Sequence, residues 1–327
     1  MHKRKRVALL TMITVLTVIL FSACKTPKPN QQNYRENDGS FSVHYLDVGQ
    51  GDCALIYFPD GKTMLIDTGN GTTDNNQYVL SFLDAFSVDR IDYLVLTHPD
   101  SDHVGGAKTV IENLEIGTAY VPHVLEASVF PQLNQAFNAL EDKNVETKIS
   151  TTFVNVKGEG YAVAFLLPYP PDVPSSSYDK LYDKYPTESD INNVSPIIYV
   201  EYQGVRFLFS GDADAGEEKL LLSDEKYLVA SFNELGININ LNQIDFLKVA
   251  HHGSKDSTCA QFLDRINPKN SVISVRGDNK YGLPSTEVLQ ALANTNEDHK
   301  IYRTDIHGTV SVIIDENGDI RTIVDRS

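Results

Sequence analysis

The densest group of candidate metal ligands in the sequence is the segment T-H-P-D-S-D-H-V-G-G at residues 97–106. It follows the apolar residues Val95 and Leu96, so the motif is expected to begin where a buried strand ends. Pro99 is expected to keep the next residues from starting a regular helix. In such a turn two imidazoles and two carboxylates can face one side: His98, Asp100, Asp102 and His103. This mixture of donors predicts a site for zinc, manganese or iron rather than calcium, which binds oxygen alone.

Two later segments carry further donors at the ends of apolar runs. F-L-F-S-G-D-A-D-A-G places Asp212 directly after a predicted strand, and F-L-K-V-A-H-H-G-S places His251 and His252 after another. A carboxylate in the position of Asp212 can bridge two metal ions, with one oxygen to each. Strand ends that converge at one edge of a layered sheet form a crevice. The three segments together therefore predict one shared metal site.

The predicted elements alternate between strands and helices, which indicates an α/β or mixed α+β protein. Strands are predicted at residues 41–48, 53–58, 62–67, 93–96, 162–167, 196–202, 205–210, 246–250, 272–275 and 309–314. Helices are predicted at 74–86, 105–113, 127–140, 215–222, 257–265 and 285–293. The net charge of −16 disfavours a protein that grips nucleic acid by broad phosphate neutralisation, because that mode needs a basic face. It does not exclude a metal site that binds a single phosphate.

The N-terminus has the three parts of an export signal. Basic residues in M-H-K-R-K-R precede an apolar run, and F-S-A-C follows it. This resembles a bacterial lipoprotein signal and predicts a signal peptide at 1–23, lipidation at Cys24, a polar tether at 24–40 and a hydrolase domain at 41–327. An uncleaved anchor helix is the alternative. Either would hold the domain at the membrane on its extracytoplasmic side.

Two further features of the sequence leave alternatives open. Residues 168–190 are rich in proline, serine and tyrosine, which is typical of a surface insertion or of a lid whose tyrosines line a substrate groove. Cys53 and Cys259 are expected to be free thiols, although an exported chain could pair them.

The ordered motifs L-D-V-G-Q-G-D, L-I-D-T-G, T-H-P-D-S-D-H-V-G-G, S-G-D and K-V-A-H-H-G-S resemble those of the metallo-β-lactamase superfamily. Within it, they are most similar to the soluble hydrolase-like domain of ComEC-type DNA-uptake proteins. The resemblance spans residues 40–327. It implies a four-layer αββα sandwich with two divalent metal ions, Zn or Mn, at one edge.

The resemblance also implies ligand roles. His98 and Asp100 would bind the first ion, and Asp102 and His103 the second. Asp212 would bridge the two ions. His251 would complete the second ion's ligands with His252 behind or beside it, and which imidazole is the ligand stays open. The middle histidine of the usual family pattern has no clear counterpart in this chain.

Other residues are expected to contact the substrate or support the ligands: Asp67, Gln50, Asp52, Asn193, Ser195 and Lys255. Asp67 would orient a ligand from behind, and the glycines of V-G-Q-G-D would offer N–H groups to an anion or form a tight turn. The catalytic candidates are Asp102, His252 and His307. His307 is included because Leu283 stands where the relatives place a histidine.

These residues predict an exported metal-dependent hydrolase, in which two ions hold and activate a water that attacks the substrate. The lead substrate is a phosphodiester, with single-stranded DNA as one candidate. The alternatives are a cell-wall polymer such as teichoic acid, or another ester or lactam. A binding lipoprotein of the envelope that has lost activity is the alternative of another class. The sequence does not identify protein partners.

Overall fold

A computed structural model describes residues 40–124, 126–170 and 191–326. Fifteen strands in this part of the chain form two sheets, with the orders β15-β14-β1-β2-β3-β4-β5-β6 and β13-β12-β11-β10-β9-β8-β7. The strands of the first sheet are β1 Phe41–Tyr45, β2 Ala54–Tyr57, β3 Thr63–Ile66, β4 Arg90–Val95, β5 Glu115–Val121, β6 Glu146–Ile149, β14 Val310–Ile314 and β15 Ile320–Val324. Those of the second are β7 Asn155–Gly158, β8 Tyr161–Leu167, β9 Ile197–Tyr202, β10 Val205–Phe209, β11 Phe246–Lys248, β12 Asn270–Ile273 and β13 Lys300–Arg303.

The described helices flank the two sheets. They are α1 Thr73–Ala85, α2 Ser101–Val104, α3 Ala107–Asn113, α4 Pro131–Asp142, α5 Ala215–Glu234, α6 Ala260–Ile266, α7 Thr286–Ala293 and α8 Thr304–His307. Two 3-10 turns lie at Ala127–Val129 and Ala250–Gly253. Within the described residues, no helix has both the length and the apolar content needed to cross a bilayer.

Three apolar cores define the layers, because successive side chains of a strand point to opposite faces of its sheet. On β3, Leu65 packs towards helices α1, α3 and α4, whereas its neighbours Met64 and Ile66 enter the core between the sheets. On β10, Leu208 packs towards α5, α6 and α7, whereas Phe207 and Phe209 face the other sheet. The order is therefore helices, sheet, sheet, helices, and the predicted four-layer αββα sandwich is confirmed.

Each sheet has a parallel part whose strands are joined through helices. In the first sheet β3, β4, β5 and β6 run parallel, and in the second β10, β11, β12 and β13 do so. Parallel strands present their carboxyl ends at one edge, where loops can converge. The candidate ligands follow β4, β10 and β11 at these ends. We call the first sheet with α1 to α4 the first half of the molecule, and the second sheet with α5 to α8 the second half. The repeated arrangement thus supplies donors to the site from both halves.

Two local predictions were wrong. A short helix does begin right after the first metal motif's proline: α2 starts at Ser101, with Asp100 in extended conformation as its N-cap. Pro99 restricts the residue before it and stays outside the helix, so it is no obstacle. Helix α5 continues to Glu234 rather than ending at 222, because Leu221, Leu228 and Phe232 keep one buried face at helical spacing. Three strands of the first sheet were also missed: β5, which has seven residues, and the shorter β6 and β15.

Several predictions fall outside the described residues. The signal peptide, Cys24 and all but the last residue of the tether lie in 1–39, and most of the 168–190 insertion lies in 171–190. Of the insertion's tyrosines, Tyr169 is described, and it is buried with its hydroxyl donating to Asp224. Cys53 and Cys259 are free thiols, in agreement with the expectation.

Candidate metal centre

The three sequence segments meet around the carboxylate of Asp212. His98 Nε2 lies 3.9 Å from Asp212 Oδ2, and His103 Nε2 lies 3.2 Å from Asp212 Oδ1. The Nε2 atoms of His251 and His252 each lie 3.8 Å from Asp212 Oδ2. Residues more than 100 positions apart in the chain therefore converge on one carboxylate, which is the arrangement that a bridging ligand requires.

Aspartates of the first motif extend the cluster on both sides. Asp102 Oδ2 lies 3.3 Å from His252 Nε2, and Asp100 Oδ2 lies 3.8 Å from His98 Nε2. Three overlapping sets of donors come close enough to hold an ion. Two of them include the predicted ligands, namely His98, His103 and Asp212, and Asp102, His103 and His252, and the third is Asp52, Asp67 and His103. The structure thus brings all the predicted ligands to one place.

The cluster fits metal ions because its buried donors lack other partners. His98 Nε2, His103 Nε2, His252 Nε2 and Asp212 Oδ1 are all buried and make no hydrogen bond. Leaving one buried polar atom unsatisfied costs about 1–3 kcal/mol, so native proteins rarely tolerate four together. Divalent cations between these atoms would satisfy all of them.

His103 is oriented by Asp67, which lies behind it. Asp67 Oδ2 accepts a hydrogen bond from His103 Nδ1 at 2.7 Å, which leaves Nε2 as the donor atom towards the cluster. Thr97 fixes the carboxylate in turn, since its backbone N–H and its hydroxyl donate to Asp67 at 2.9 and 2.7 Å. The Asp67 backbone is left-handed, with φ of 59°. Asp67 therefore lies behind His103, on the side of the ring opposite the cluster.

His252 is oriented by the backbone of a neighbouring strand. Its Nδ1 donates to the Ser274 carbonyl at 2.8 Å and lies 3.4 Å from Asp52 Oδ1, so Nε2 points towards Asp102. Its ring is buried, whereas that of His251 is partly exposed. The geometry thus places His252 beside Asp102 and His103, which differs from the sequence-based preference for His251 at the second ion.

His251 occupies the exposed side of Asp212. Its Nδ1 lies 3.5 Å from the amide nitrogen of Asn192, and its ring lines a cleft of about 1070 Å³. Asn192 also lines this cleft, and its Oδ1 is buried without a hydrogen-bond partner. Sequence reasoning missed Asn192 and chose Asn193. The signal was present in D-I-N-N-V-S, but adjacent asparagines cannot be ranked without the backbone direction.

Several predicted residues stabilise the site loops instead of facing the cluster. Ser195 Oγ accepts from the backbone N–H of Asp212, and Asn193 Oδ1 accepts from that of Asp214. Gln50 Oε1 accepts from the Arg276 backbone at 3.4 Å. The glycine loop bonds internally, because the Gly49 N–H donates to Asp47. A side chain at position 51 would collide with the Asp102 carbonyl. Glycine there lets the V-G-Q-G-D loop contact the loop that carries Asp102.

The two remaining candidates lie in different surroundings. Lys255 is exposed and lines the cleft beside His251, Tyr281 and Leu283. His307 Nδ1 bonds to the backbone of Arg303 within one turn, and its ring packs edge-on against Tyr302. Among the described residues, no contact joins His307 to the cluster. Its ring hydrogen-bonds and packs within this local turn, so the structure does not support the catalytic role that was considered for it.

Burial and mutual charge govern the protonation of the cluster. Burial lowers the pKa of His98 to about 3. Burial also opposes protonation of His252, but nearby carboxylates led by Asp212 outweigh it and raise the pKa of His252 to about 10. They likewise raise the pKa of His103 well above its usual value. Burial would raise the pKa of Asp212, yet the imidazolium charges hold it well below the ordinary range. Divalent cations would take over the role of these protons.

Comparisons with known proteins agree with the motifs. Residues 46–277 match the Metallo-beta-lactamase superfamily. The chain is 27% identical over 287 residues to ComE operon protein 3 of Bacillus subtilis, covering 82% of this chain and 32% of that protein. It is 26% identical over 283 residues to Recombination protein 2 of Haemophilus influenzae, covering 86% and 28% respectively. The chain therefore spans about a third of the length of these curated relatives.

Among solved structures, the metallo-beta-lactamase fold protein YhfI from Bacillus subtilis matches with a TM-score of 0.47 at 7% identity, covering 86% of this chain and 99% of that one. The family match extends over most of the chain and includes the motifs at 97–106, 212 and 251–252. This chain belongs to the metallo-beta-lactamase superfamily.

Proposed function

We propose that this metal-dependent hydrolase cleaves phosphodiester bonds outside the cytoplasmic membrane. The observation that carries the proposal is the convergence of four imidazole nitrogens within 3.2–3.9 Å of the Asp212 carboxylate, beside an open cleft. Such a donor set suits a pair of divalent cations, and paired cations are typical of enzymes that cleave phosphate esters. The similarity to ComEC-type competence proteins supports a substrate related to nucleic acid.

The candidate ligands would be divided between two ions. Asp102, His103 and His252 would hold one ion, and His98 with Asp100 the other, while Asp212 would serve both. When bound, the ions would lower the pKa of water and neutralise negative charge on the substrate. The three aspartates favour manganese or zinc over softer ions. His252 is fully engaged by Ser274 and the cluster, which leaves it no role in moving a proton to the leaving group.

The cleft residues would bind the substrate. His251 is the imidazole that both reaches Asp212 and lines the cleft, so it is placed to contact the scissile phosphate. Lys255 on the cleft wall can neutralise a phosphate oxygen. Tyr281 is 62% exposed and offers an aromatic face on which a base can stack. The Asn192 amide beside His251 can position a polar group of the substrate.

A second candidate substrate is a cell-wall phosphodiester of the teichoic-acid type. Three acidic residues line the cleft, Asp214, Asp256 and Glu287, whereas Lys255 is the one lysine or arginine among its described lining residues. Leu283 adds an apolar surface. This balance disfavours a long polyanion and suits a leaving group that is neutral or cationic. An inactive binding protein is disfavoured because the donor set is intact. Hydrolysis of another ester or a lactam is not favoured by any contact in the cleft.

Export through the predicted lipoprotein signal would place this activity at the cell envelope, with Cys24 as the membrane anchor. The extracytoplasmic location is part of the proposal, and palmitate labelling of the wild-type chain and of Cys24→Ser tests it. Label on the wild type alone supports the anchor, and equal labelling of both rules it out.

The test of the activity begins with metal content by elemental analysis. Turnover of bis-p-nitrophenyl phosphate with Mn²⁺ and with Zn²⁺ follows, and then single-stranded DNA is compared with teichoic acid. Asp212→Asn is the inactive control, and Lys269→Met, at an ion pair with Asp245, is the matched active control. Two bound ions with ester turnover in the wild type support the proposal. Bound ions without turnover of any phosphodiester would overturn it.

A further inference from the structure

A buried lysine lies directly behind the candidate metal centre. Lys248 ends β11, three residues before His251, and its side chain is only 4% exposed. Its Nζ donates to Asp52 Oδ2 at 2.7 Å and to the Val249 carbonyl at 2.9 Å. A buried ion pair often contributes no more stability than a well-packed apolar pair would, since both charges lose their hydration. The position therefore calls for an explanation other than stability.

Asp52 connects this lysine to three segments of the site. Its backbone N–H donates to the Asp102 carbonyl at 3.1 Å, and its carbonyl accepts from Gly69 at 2.8 Å. Its second carboxylate oxygen, Oδ1, is buried, makes no hydrogen bond and lies 3.4 Å from His252 Nδ1. Asp52 thus touches the segment of one candidate ligand through its backbone and the ring of another through its side chain.

The ion pair also joins the two sheets at the edge where the ligands meet. Asp52 precedes β2 of the first sheet, whereas Lys248 belongs to β11 of the second. Asp102 lies in α2, which follows β4 of the first sheet, and His252 lies in the turn after β11 of the second, so their 3.3 Å separation depends on how the two sheets are held together at this edge. The lysine ammonium is the group that fixes the Asp52 carboxylate between them.

We propose that Lys248 is a positioning residue of the metal centre: by anchoring Asp52, it sets the distance between His252 and Asp102 and so determines the geometry of the ion that they share. The inference rests on the metal-binding part of the proposed function and not on the identity of the substrate. The lysine does not contact an ion or the substrate and acts through Asp52.

Lys248→Met tests the inference. The expected result is a 10- to 100-fold loss of affinity for one of two ions, the range typical when a residue behind a metal ligand is replaced. The other ion stays bound. Metal content after dialysis and the optical spectrum of the Co²⁺-loaded protein report stoichiometry and ligand geometry without an activity assay. A changed Co²⁺ spectrum is expected, and a spectrum and affinity equal to the wild type would overturn the inference.

A double variant separates positioning from folding. Lys248→Met leaves a buried carboxylate unpaired and is expected to lower the melting temperature. Lys248→Met with Asp52→Asn removes both charges and is expected to recover much of that loss. The weakened ion should not recover with it. If metal affinity and spectrum return together with the melting temperature, Lys248 is structural and the inference fails.

A control comes from the opposite end of β11, at a lysine that is 59% exposed. Lys269 Nζ pairs with Asp245 Oδ1 at the same 2.7 Å distance, and Asp245 immediately precedes β11. Lys269→Met is expected to leave metal affinity and the Co²⁺ spectrum unchanged, and an equal effect there would overturn a specific role for Lys248. A wild-type chain that binds no metal would overturn this inference and the proposed function together. Two bound ions without ester turnover would overturn only the latter.

Discussion

The two halves of the molecule orient their imidazoles in different ways. His103 is held within the first half, where Asp67 accepts from its Nδ1 and Thr97 fixes Asp67. His252 in the second half donates to a backbone carbonyl, and the carboxylate beside it, Asp52, comes from the first half. The first arrangement is local and direct, whereas the second depends on contact between the sheets. Metal geometry on the side of His252 should therefore be the more sensitive to the packing of the sandwich.

The halves share one property, which is left-handed backbone at residues that serve the site. Asp67, His251 and His252 have φ values of 59°, 48° and 52°. Non-glycine residues in this region cost of order 1–3 kcal/mol each where the conformation is strained, and they persist only where their surroundings hold them. At Asp67 the hydrogen bonds of Thr97 do so. At His252 the Ser274 carbonyl does so, which shows that both halves accept strain to aim these side chains.

The largest expected effect comes from Asp212, which follows β10 of the second sheet but is approached by imidazoles from both halves. Asp212→Ala removes the carboxylate that all four imidazoles approach, so both ions should lose a ligand. We expect a loss of metal affinity greater than the roughly 100-fold typical for a residue behind a ligand. Calorimetric titration with Zn²⁺ and Mn²⁺ measures it, with Lys269→Met as control. A variant that retains two tightly bound ions would show that Asp212 does not bridge them.

Asp67→Asn should have the next largest effect and tests the comparison directly. It replaces a 2.7 Å contact to His103, whereas Lys248→Met disturbs His252 only through a 3.4 Å approach by Asp52. We therefore expect Asp67→Asn to weaken metal binding about 10- to 100-fold, and by more than Lys248→Met does. Competition with a chromogenic chelator gives both affinities. The reverse order would mean that the contact between the sheets matters more than the local one.

The pH dependence of metal binding should show the release of one proton from His103 in the first half and one from His252 in the second. Without cations, carboxylates keep the pKa values of His103 and His252 above 6.5, the latter at about 10, so both rings hold protons at neutral pH. A cation must displace them, and affinity should therefore rise with pH, by about tenfold per pH unit for each proton released. Titrations at pH 6, 7 and 8 measure the slope. An affinity that does not change with pH would contradict this assignment.

Substrate binding should depend on the second half, because most described cleft residues come from it. Tyr281→Ala removes an exposed aromatic face, and loss of one stacked base typically costs about 1–3 kcal/mol. For single-stranded DNA we expect KM to rise roughly 5- to 150-fold with kcat little changed. Steady-state kinetics measure both constants. Tyr227→Ala, at a tyrosine that is 57% exposed on α5, is the matched control. Equal effects of the two variants would rule out a stacking role.

Sequence reasoning predicted the fold and the cluster well because both depend on short-range patterns. A strand end that carries a ligand is visible in the sequence as an apolar run followed by His or Asp. This pattern identified the segments that contain His98, His103 and Asp212. The layer order follows from the family resemblance and is confirmed by the alternating faces of β3 and β10.

The parts that could not be predicted depend on distant contacts or on backbone direction. His251 and His252 differ in burial and in partners, since the His252 ring is buried against the Ser274 carbonyl whereas the His251 ring lines the cleft, and no local pattern reveals this. The choice of Asn192 over Asn193 is set by the loop before β9. Lys248 was read as part of a strand, since its partner Asp52 lies 196 positions away and no local pattern reveals such a pair.

The smallest expected effect on the site concerns a buried carboxyl group that belongs to the second half alone. Glu218 on α5 accepts from the backbone N–H groups of Thr258 and Cys259, and thereby supports the loop that follows His252. Burial raises its pKa from 4.5 to about 7, so between these values the folded state binds the proton more tightly than the unfolded state does. Its contribution to the free energy of unfolding is therefore fully present below pH 4.5 and is lost as pH rises through 7. The change is on the order of 3 kcal/mol.

Glu218→Gln should remove this dependence of the free energy of unfolding on pH. Urea unfolding of the wild type and the variant at pH 5, 6 and 7 measures the difference in stability, which is expected to shift in favour of the variant as pH rises. Glu112→Gln, at an exposed residue on α3, is the control and should show no such trend. Parallel pH profiles for the wild type and Glu218→Gln would mean that the carboxylate stays ionised while buried. The backbone N–H donors of Thr258 and Cys259 would then be enough to stabilise its charge, and the support that Glu218 gives to the loop after His252 would not change with pH over this range.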